Sequence, residues 1–333
     1  MAFIRRNKRE SALRTKVGVP ILAAVLSFVA ALFYVGVRRQ QTTQGLYADQ
    51  PMQVTARQWK QALIETKNAL RDKNLSMIAA GMSYFSSLAF FPAVAAAVAI
   101  AAFAISPTQI ESAVAGVESY MPRDMASLVT TQLETQVEAE QKTIFVAMLA
   151  ILLSLVSVAG AVDKLIKGLS IAYDTEETRS FIQLKILSGA IALGGILFAF
   201  VVIGLLALNE SFLSTLGVYG SLSLIVLALR WPLIILLLSI VLSFLYRYGP
   251  DRKRAKWQWV SWGALAATLL WLVATIGFFV YVQNFSNFSA SYSIFAGIIV
   301  LMTWLYISAF IVLLGAQVNH RLETKTVQPK VFE

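Results

Sequence analysis

The side chains best able to do chemistry are few. There is one histidine, His320, and no cysteine. A chain so composed has no disulfide, no thiolate metal site, no cysteine nucleophile and no histidine-rich metal centre. No phosphate-binding glycine loop, GxSxG elbow or HExxH pair occurs. The remaining candidates are charges beside or inside apolar runs. Arg230, in LALRWPLIILLL, is the one charge well inside such a run. An arginine at bilayer depth costs about 3 kcal/mol on insertion scales and marks a functional site unless it snorkels to the headgroups. Arg230 lies eight residues into its segment, so snorkelling competes with function, and Glu210 is the expected partner.

A second group is the run AYDTEETRSF, in which Glu176, Glu177 and Arg179 form a compact charged knot. Asp174 or Thr175 is expected to cap the helix that follows, with acids favoured near its N-terminus. Arg179 is expected to pair with Glu176 or with a lipid phosphate. The third group is AAGMSYFSSLAFFP. Ala79, Ser83 and Ser87 recur every four residues, a small-residue stripe that lets helices approach closely. Pro92 removes a backbone hydrogen bond and is expected to kink its helix. Simple packing competes with a broken helix lining a pathway.

The elements that carry these residues follow from hydropathy. Of 333 residues, 58% are hydrophobic and 14% charged, with a mean hydropathy of +0.69. Soluble domains carry about 25% charged residues, so this is not a soluble composition. Apolar segments run Val17–Val37, Ser76–Ile105, Thr143–Val162 (helical pattern to Ile171), Leu184–Leu208, Leu222–Tyr246, Trp259–Val282 and Ile294–Val318. Each is long enough for a ~30 Å hydrocarbon core, and none shows the ~10-residue alternation of a membrane barrel. The fold class is therefore an all-α polytopic membrane bundle: six core transmembrane helices plus an extra N-terminal hydrophobic helix.

The net charge of +10 resides around these segments. Lys164, Lys167, Arg179 and Lys185 flank one connection; Arg247, Arg252, Lys253, Arg254 and Lys256 flank another. The stretch 106–142 is acidic, 209–221 has Glu210 alone, and 283–293 is uncharged. By the positive-inside rule the basic connections and the C-terminus are cytoplasmic. Bases flanking spans argue against nucleic-acid binding. The segment Val17–Val37 has six bases before it and seven after, up to Lys73, so charge does not choose its side. Its length favours a span with the N-terminus outside; an in-plane or re-entrant helix is the other reading.

Between the first two segments, Trp59, Leu63 and Leu70 lie near one face of a basic helix. This fits an in-plane helix on the cytoplasmic leaflet or an amphipathic helix packed on the bundle. Ile110, Val114, Val117 and Met121, then Met125, Val129, Leu133 and Val137, suggest two short outer helices broken at Pro122. Phe278, Phe279, Tyr281, Phe285, Phe288, Tyr292 and Phe295 read as an outer aromatic belt, and Trp257, Trp259 and Trp262 as an inner one. Gly297 and Gly315 are expected at close helix contacts.

The runs AAGMSYFSSLAFFP, AYDTEETRSF, LYRYGPDRK and the stretch from Trp262 to Asn319, in this order and spacing, resemble the YihY/BrkB family of bacterial inner-membrane proteins. The similarity covers roughly residues 55–322. Matching positions include Ala80, Tyr84, Pro92, Tyr173, Glu177, Arg179, Tyr246, Pro250, Gly263, Tyr281, Tyr292, Trp304, Tyr306 and Gly315. The resemblance implies six core spans in the inner membrane, and it links the chain to serum resistance and envelope lipid transport. Some members of the family carry a ribonuclease label.

The resulting division is a basic N-terminus with its extra helix (1–53), a six-helix membrane domain (54–322) and a cytoplasmic tail (323–333). Candidate pathway or gating residues are Pro92, Arg230, Glu177, Arg179 and Tyr84. The expected activity is transporter-like, on an envelope lipid or other amphiphile, with a structural scaffold as the alternative and a ribonuclease disfavoured. No catalytic residue, cofactor or metal is expected. Membrane lipids are the expected partners, a homo-oligomer is allowed, and nucleic acid is not expected.

Overall fold

The structure, a computed structural model, describes residues 56–104, 144–208, 213, 217–252, 257–285 and 293–326. The segment Val17–Val37, the two expected outer helices, Glu210, Lys253, Arg254, Lys256, Phe288 and Tyr292 lie outside the described residues. Within them the chain forms seven α-helices: α1 (Ala56–Asp72), α2 (Leu75–Ala104), α3 (Ile144–Ala172), α4 (Phe181–Ala207), α5 (Ser221–Tyr248), α6 (Trp257–Phe285) and α7 (Ser293–Thr326). Among the described residues, five stretches are long and apolar enough to cross a membrane: Leu75–Val94, Phe181–Ala207, Ser221–Tyr248, Trp262–Gln283 and Ala296–Thr324. In α3, Ile144–Val162 is uncharged, and Asp163, Lys164 and Lys167 follow.

Helix α7 is the central post. It packs on α6, α2, α1 and α3; α2 packs along α3, α5 along α6, and α4 bridges α3 and α5. The main core lies where α7 meets the ends of α3 and α5. It contains Met82, Leu169, Tyr173, Leu245, Tyr246, Ala264, Ala267, Leu313 and Ala316. Small residues set the spacing there. A β-carbon on Gly315 would lie 2.7 Å from the Ala267 β-carbon and 2.5 Å from the Tyr246 hydroxyl oxygen. One on Gly168 would lie 2.8 Å from Met82 Sδ, and one on Gly263 would run into the Asn319 side chain. Outward faces of α3, α4 and α5 leave large apolar side chains uncovered, among them Val156, Leu197 and Leu236, as lipid solvation requires.

The Ala79, Ser83 and Ser87 stripe is buried. Ser83 donates to the Ala80 carbonyl (2.8 Å) and Ser87 to the Tyr84 carbonyl (2.7 Å), so the hydroxyls are satisfied within α2 and the stripe serves packing. Helix α2 continues through Pro92 to Ala104 as one α-helix.

The cap of α4 differs from expectation. Asp174 has a left-handed backbone (φ 52°). Its N–H donates to the Ile171 carbonyl, and the Thr175 N–H donates to the Ser170 carbonyl. That is a Schellman end for α3, with an aspartate in the position glycine usually takes. Asp174 and Thr175 thus terminate the preceding helix. Ser180 caps α4 instead, in a capping box with Gln183: the Gln183 N–H donates to Ser180 Oγ at 3.4 Å, and the Ser180 N–H donates to Gln183 Oε1 at 3.0 Å.

The aromatic belt is also revised. Phe278 and Phe279 pack half-buried with Phe90 and Trp304 around Val282, Val300 and Leu301. The alternation that looks interfacial in sequence is, for these two rings, a helix–helix contact. Tyr281 does remain exposed, as does Trp262.

Candidate functional site

The sequence candidates do not converge. Arg230 and Arg247 are 17 residues apart on α5, about 25 Å along the axis at 1.5 Å per residue. That distance is close to the hydrocarbon thickness, so they occupy opposite ends of the bundle. Arg230 Nη1 donates to the Leu208 carbonyl at the end of α4, and its guanidinium lies 5.3 Å from the Trp231 ring. Arg179 is at the Arg247 end. Its Nη1 donates to the Gly249 carbonyl (3.0 Å) and Nη2 to the Tyr248 carbonyl (3.4 Å). Its ion partners are Glu177 (3.6 Å) and Asp251 (3.8 Å), so neighbouring Glu177 takes the place expected for Glu176. Asp251 also accepts hydrogen bonds from the Thr178 N–H and hydroxyl. The knot therefore fastens the α3–α4 connection to the end of α5. Tyr84 is exposed on α2, its ring edge-on to Phe85 at 5.5 Å. Pro92 is half-buried two turns further on.

A polar cage at the Arg179 end is what the fold assembles. Tyr173 and Tyr246 are its floor, fully buried and edge-to-face at 6.3 Å. The Tyr246 hydroxyl donates to the Val312 carbonyl at 2.9 Å, and Asn319 Nδ2 donates to the Tyr173 hydroxyl at 3.3 Å. The Arg252 guanidinium covers the Tyr173 ring at 3.9 Å. Arg252 Nη1 pairs with Glu323 at 2.8 Å, and Nη2 donates to the Tyr246 carbonyl at 2.7 Å. Helix α7 thus continues past residue 322 with Glu323 tied into the bundle.

The other wall is built on Lys73, in the link between α1 and α2. Its ammonium pairs with Asp174 at 2.8 Å and donates to Gln317 Oε1 at 3.0 Å. It also donates to the Ile171 and Ala172 carbonyls, both at 3.3 Å. A cation on the last carbonyls of α3 complements the helix dipole. Asp174 meets His320 Nε2 at 3.2 Å as well, and the His320 ring stands edge-on to Tyr173 at 6.1 Å. The cage is therefore a clamp that locks four segments at one level: the α1–α2 link, the end of α3, the end of α5 with Arg252, and α7.

Two titrations follow from this geometry. Burial pushes the Tyr173 hydroxyl well above its ordinary range, against the opposing Arg252 charge and the Asn319 hydrogen bond. Burial also works to raise Asp174, but the Lys73 hydrogen bond and charge, with His320 and Arg321, outweigh it and leave the carboxyl below its ordinary value of 3.8. A lowered carboxyl contributes stability that is complete above the unfolded value and lost as pH falls through the folded one. The Asp174 contribution to thermal stability in detergent should therefore be lost on acidification below about pH 4. In Asp174→Asn that acid limb should be shallower.

Sequence reasoning reached part of this site. Tyr173, Tyr246 and Gly263 stand out only through the family resemblance, Gly315 also as an expected close helix contact, and Glu177 and Arg179 through their charge. Lys73, Arg252, Gln317 and Asn319 were missed as members of one site. The available signal was polarity at otherwise apolar helix ends: Gln317 and Asn319 interrupt the last turns of a long apolar run. Among the described residues no three His, Asp or Glu side chains come together as a metal-ligand group.

The family described as Virulence factor BrkB matches residues 66–331. The ribonuclease-like protein YfkH of Bacillus subtilis is 30% identical over 258 residues, 75% of this chain and 90% of that protein. A UPF0761 membrane protein of Tolumonas auensis is 42% identical over 73 residues, 22% of this chain and 24% of its own. One from Vibrio cholerae is 35% identical over 111 residues, 32% of this chain and 33% of its own. No solved structure matches.

Proposed function

The chain belongs to the BrkB family of integral membrane proteins, and on that premise we propose that it is a transporter-like protein of the bacterial inner membrane acting on an envelope lipid or similar amphiphile. The observation that carries this reading is on α5. Leu229, Leu233, Leu236, Ile240 and Phe244 form one exposed apolar stripe at helical spacing. Arg230 stands beside its start, and Arg247 follows at its end on the same helical face. A stripe that solvates acyl chains, with a guanidinium at each headgroup level, suits an amphiphile passing between leaflets.

In this reading α3 is the sixth crossing. Its uncharged Ile144–Val162 stretch spans about 28 Å at 1.5 Å per residue. The polar cage, Arg247 and the C-terminus are cytoplasmic by the basic flanks, and Arg230 faces outside. The protein carries out no covalent chemistry, and its partners are lipids rather than nucleic acid. The test is reconstitution into liposomes with a fluorescent phospholipid in one leaflet. Wild-type protein is expected to speed equilibration between leaflets over empty liposomes, and Arg230→Ala to slow it. Equal rates for protein and empty liposomes, or for wild type and Arg230→Ala, would sink the proposal.

A scaffold without transport is the second reading. It is favoured by the Ala79, Ser83 and Ser87 stripe, which is buried in a helix contact rather than lining a path. The ribonuclease-like name of the Bacillus subtilis relative supplies a third arm for the same preparation: RNA cleavage by the purified protein would replace both.

A further inference from the structure

Helix α1 has a side that its packing leaves unused. It seats Ala62, with Trp59, against Val318 and Leu322 of α7. Thr66 and Ala69 are buried on the same face. The rest of the helix is sharply sided. Around the 100° helical wheel, Lys60, Ile64, Lys67 and Arg71 share the outward quadrant, while Glu65 and Asp72 fall on the opposite flank. Leu63 and Ile64 are 55% and 51% exposed, and Lys60, Lys67 and Arg71 are exposed beside them. The helix thus carries three cations and uncovered aliphatic side chains on one side, and acids on the other.

Its level in the bundle is set by α7. The uncharged run of α7 ends at Asn319, and Val318 and Leu322, the seat of α1, straddle that end. Lys73, just after α1, holds the last carbonyls of α3, about 14 Å along that helix beyond the end of its uncharged stretch at Val162. The seat on α7 therefore places helix α1 where that apolar span gives way to charge, which is the headgroup level.

We propose that α1 is an interfacial helix that lays its Lys60–Ile64–Lys67–Arg71 side on anionic phospholipid of the leaflet at which α7 ends. The charge complementarity selects the occupant. Basic residues near an anionic leaflet each gain attraction that a zwitterionic surface does not supply, while Ile64 enters the boundary between headgroups and acyl chains. The Glu65 and Asp72 flank turns away to water. This inference concerns where the helix sits and what holds it there, and it stands whether or not the protein moves lipid.

The absence of cysteine makes the test direct. Full-length protein with a single Ile64→Cys or Gln61→Cys, labelled with an environment-sensitive fluorophore, is placed in nanodiscs of phosphatidylcholine with or without phosphatidylglycerol. In the anionic discs the Ile64→Cys label is expected to shift to the blue and to be quenched by iodide several-fold less than the Gln61→Cys label. Removing phosphatidylglycerol, or adding Lys60→Glu, Lys67→Glu and Arg71→Glu together, should remove that protection. Equal quenching at both positions in anionic discs, or protection indifferent to both lipid charge and the triple reversal, overturns the proposal. All substitutions are on exposed positions, and retained size-exclusion behaviour of each variant confirms that the bundle is folded.

Discussion

Gly315→Val is expected to abolish accumulation of folded protein. A single β-carbon at this position would lie 2.7 Å from the Ala267 β-carbon on α6 and 2.5 Å from the Tyr246 hydroxyl of α5. Neither neighbour has room to yield. Ala267 has no rotamer to change, and the Tyr246 hydroxyl is held by its hydrogen bond to the Val312 carbonyl at 2.9 Å. Overpacking a tight core costs about 1–3 kcal/mol for modest insertions. Here two branched methyls enter a three-helix junction, so separation of α7 from α6 is the cheaper response. Size-exclusion profiles and thermal melts of detergent-purified protein read the effect directly. Gly315→Ala should be milder. Pairing it with Ala267→Gly should recover part of the loss, because that removes the atom on the rigid side of the clash. An unaltered melting temperature for Gly315→Val would show that the helices do not approach this closely.

Arg252→Ala is expected to be nearly as damaging, for an electrostatic reason. The Arg252 side chain is 9% exposed and serves three partners at once: Glu323, the Tyr246 carbonyl and the Tyr173 ring. Truncation leaves the Glu323 carboxylate, 18% exposed, without its guanidinium. Removing one member of a buried ion pair costs about 3–5 kcal/mol, more than the pair itself contributes, because the remaining charge stays desolvated. Arg252→Lys should rescue little. An ammonium cannot reach a carboxylate and a carbonyl while stacking flat on a phenol ring. The measurement is a double-mutant cycle with Glu323→Gln, followed by thermal unfolding. Arg252→Ala should cost clearly less in the Glu323→Gln background, since the stranded charge is gone. Additive losses would mean that the pair is solvated and that the cage has a weaker hold on α7.

The two predictions share a location, and that location explains how the bundle is held. In a bilayer the apolar flanks of α4 and α5 gain nothing from leaving lipid for one another. Close packing and satisfied polar contacts must supply the specificity. Among the described residues, the close glycine contacts of Gly263 and Gly315 and the hydrogen bonds of the cage coincide at the Tyr173, Tyr246 and Asn319 level. The Arg230 end is tied by the guanidinium on the Leu208 carbonyl.

The amino-acid sequence alone determined that the fold is helical and membranous. Long uncharged runs leave the backbone no partner in lipid except itself, so α-helix follows for each of them, and the small-residue stripe on α2 foretold a buried face. It also isolated Arg230, a charge among apolar residues, and the charged run holding Glu176, Glu177 and Arg179, though the partner it offered Arg179 was Glu176. Only the tertiary structure decided what those charges do. Arg179 reaches 70 residues along the chain to the Gly249 carbonyl, and Lys73 joins residues 98 and 244 positions away. Such partners have no signature in local spacing. Asp174 shows the limit clearly: beside a helix start it reads as a cap, yet its left-handed backbone ends the helix before it, and its carboxylate goes to Lys73 and His320. The residues His320, Arg252 and Asn319 look like scattered polar positions until α7 and the end of α5 bring them around Tyr173. Helical hydropathy is a property of neighbours in sequence, whereas a polar clamp is a property of neighbours in space.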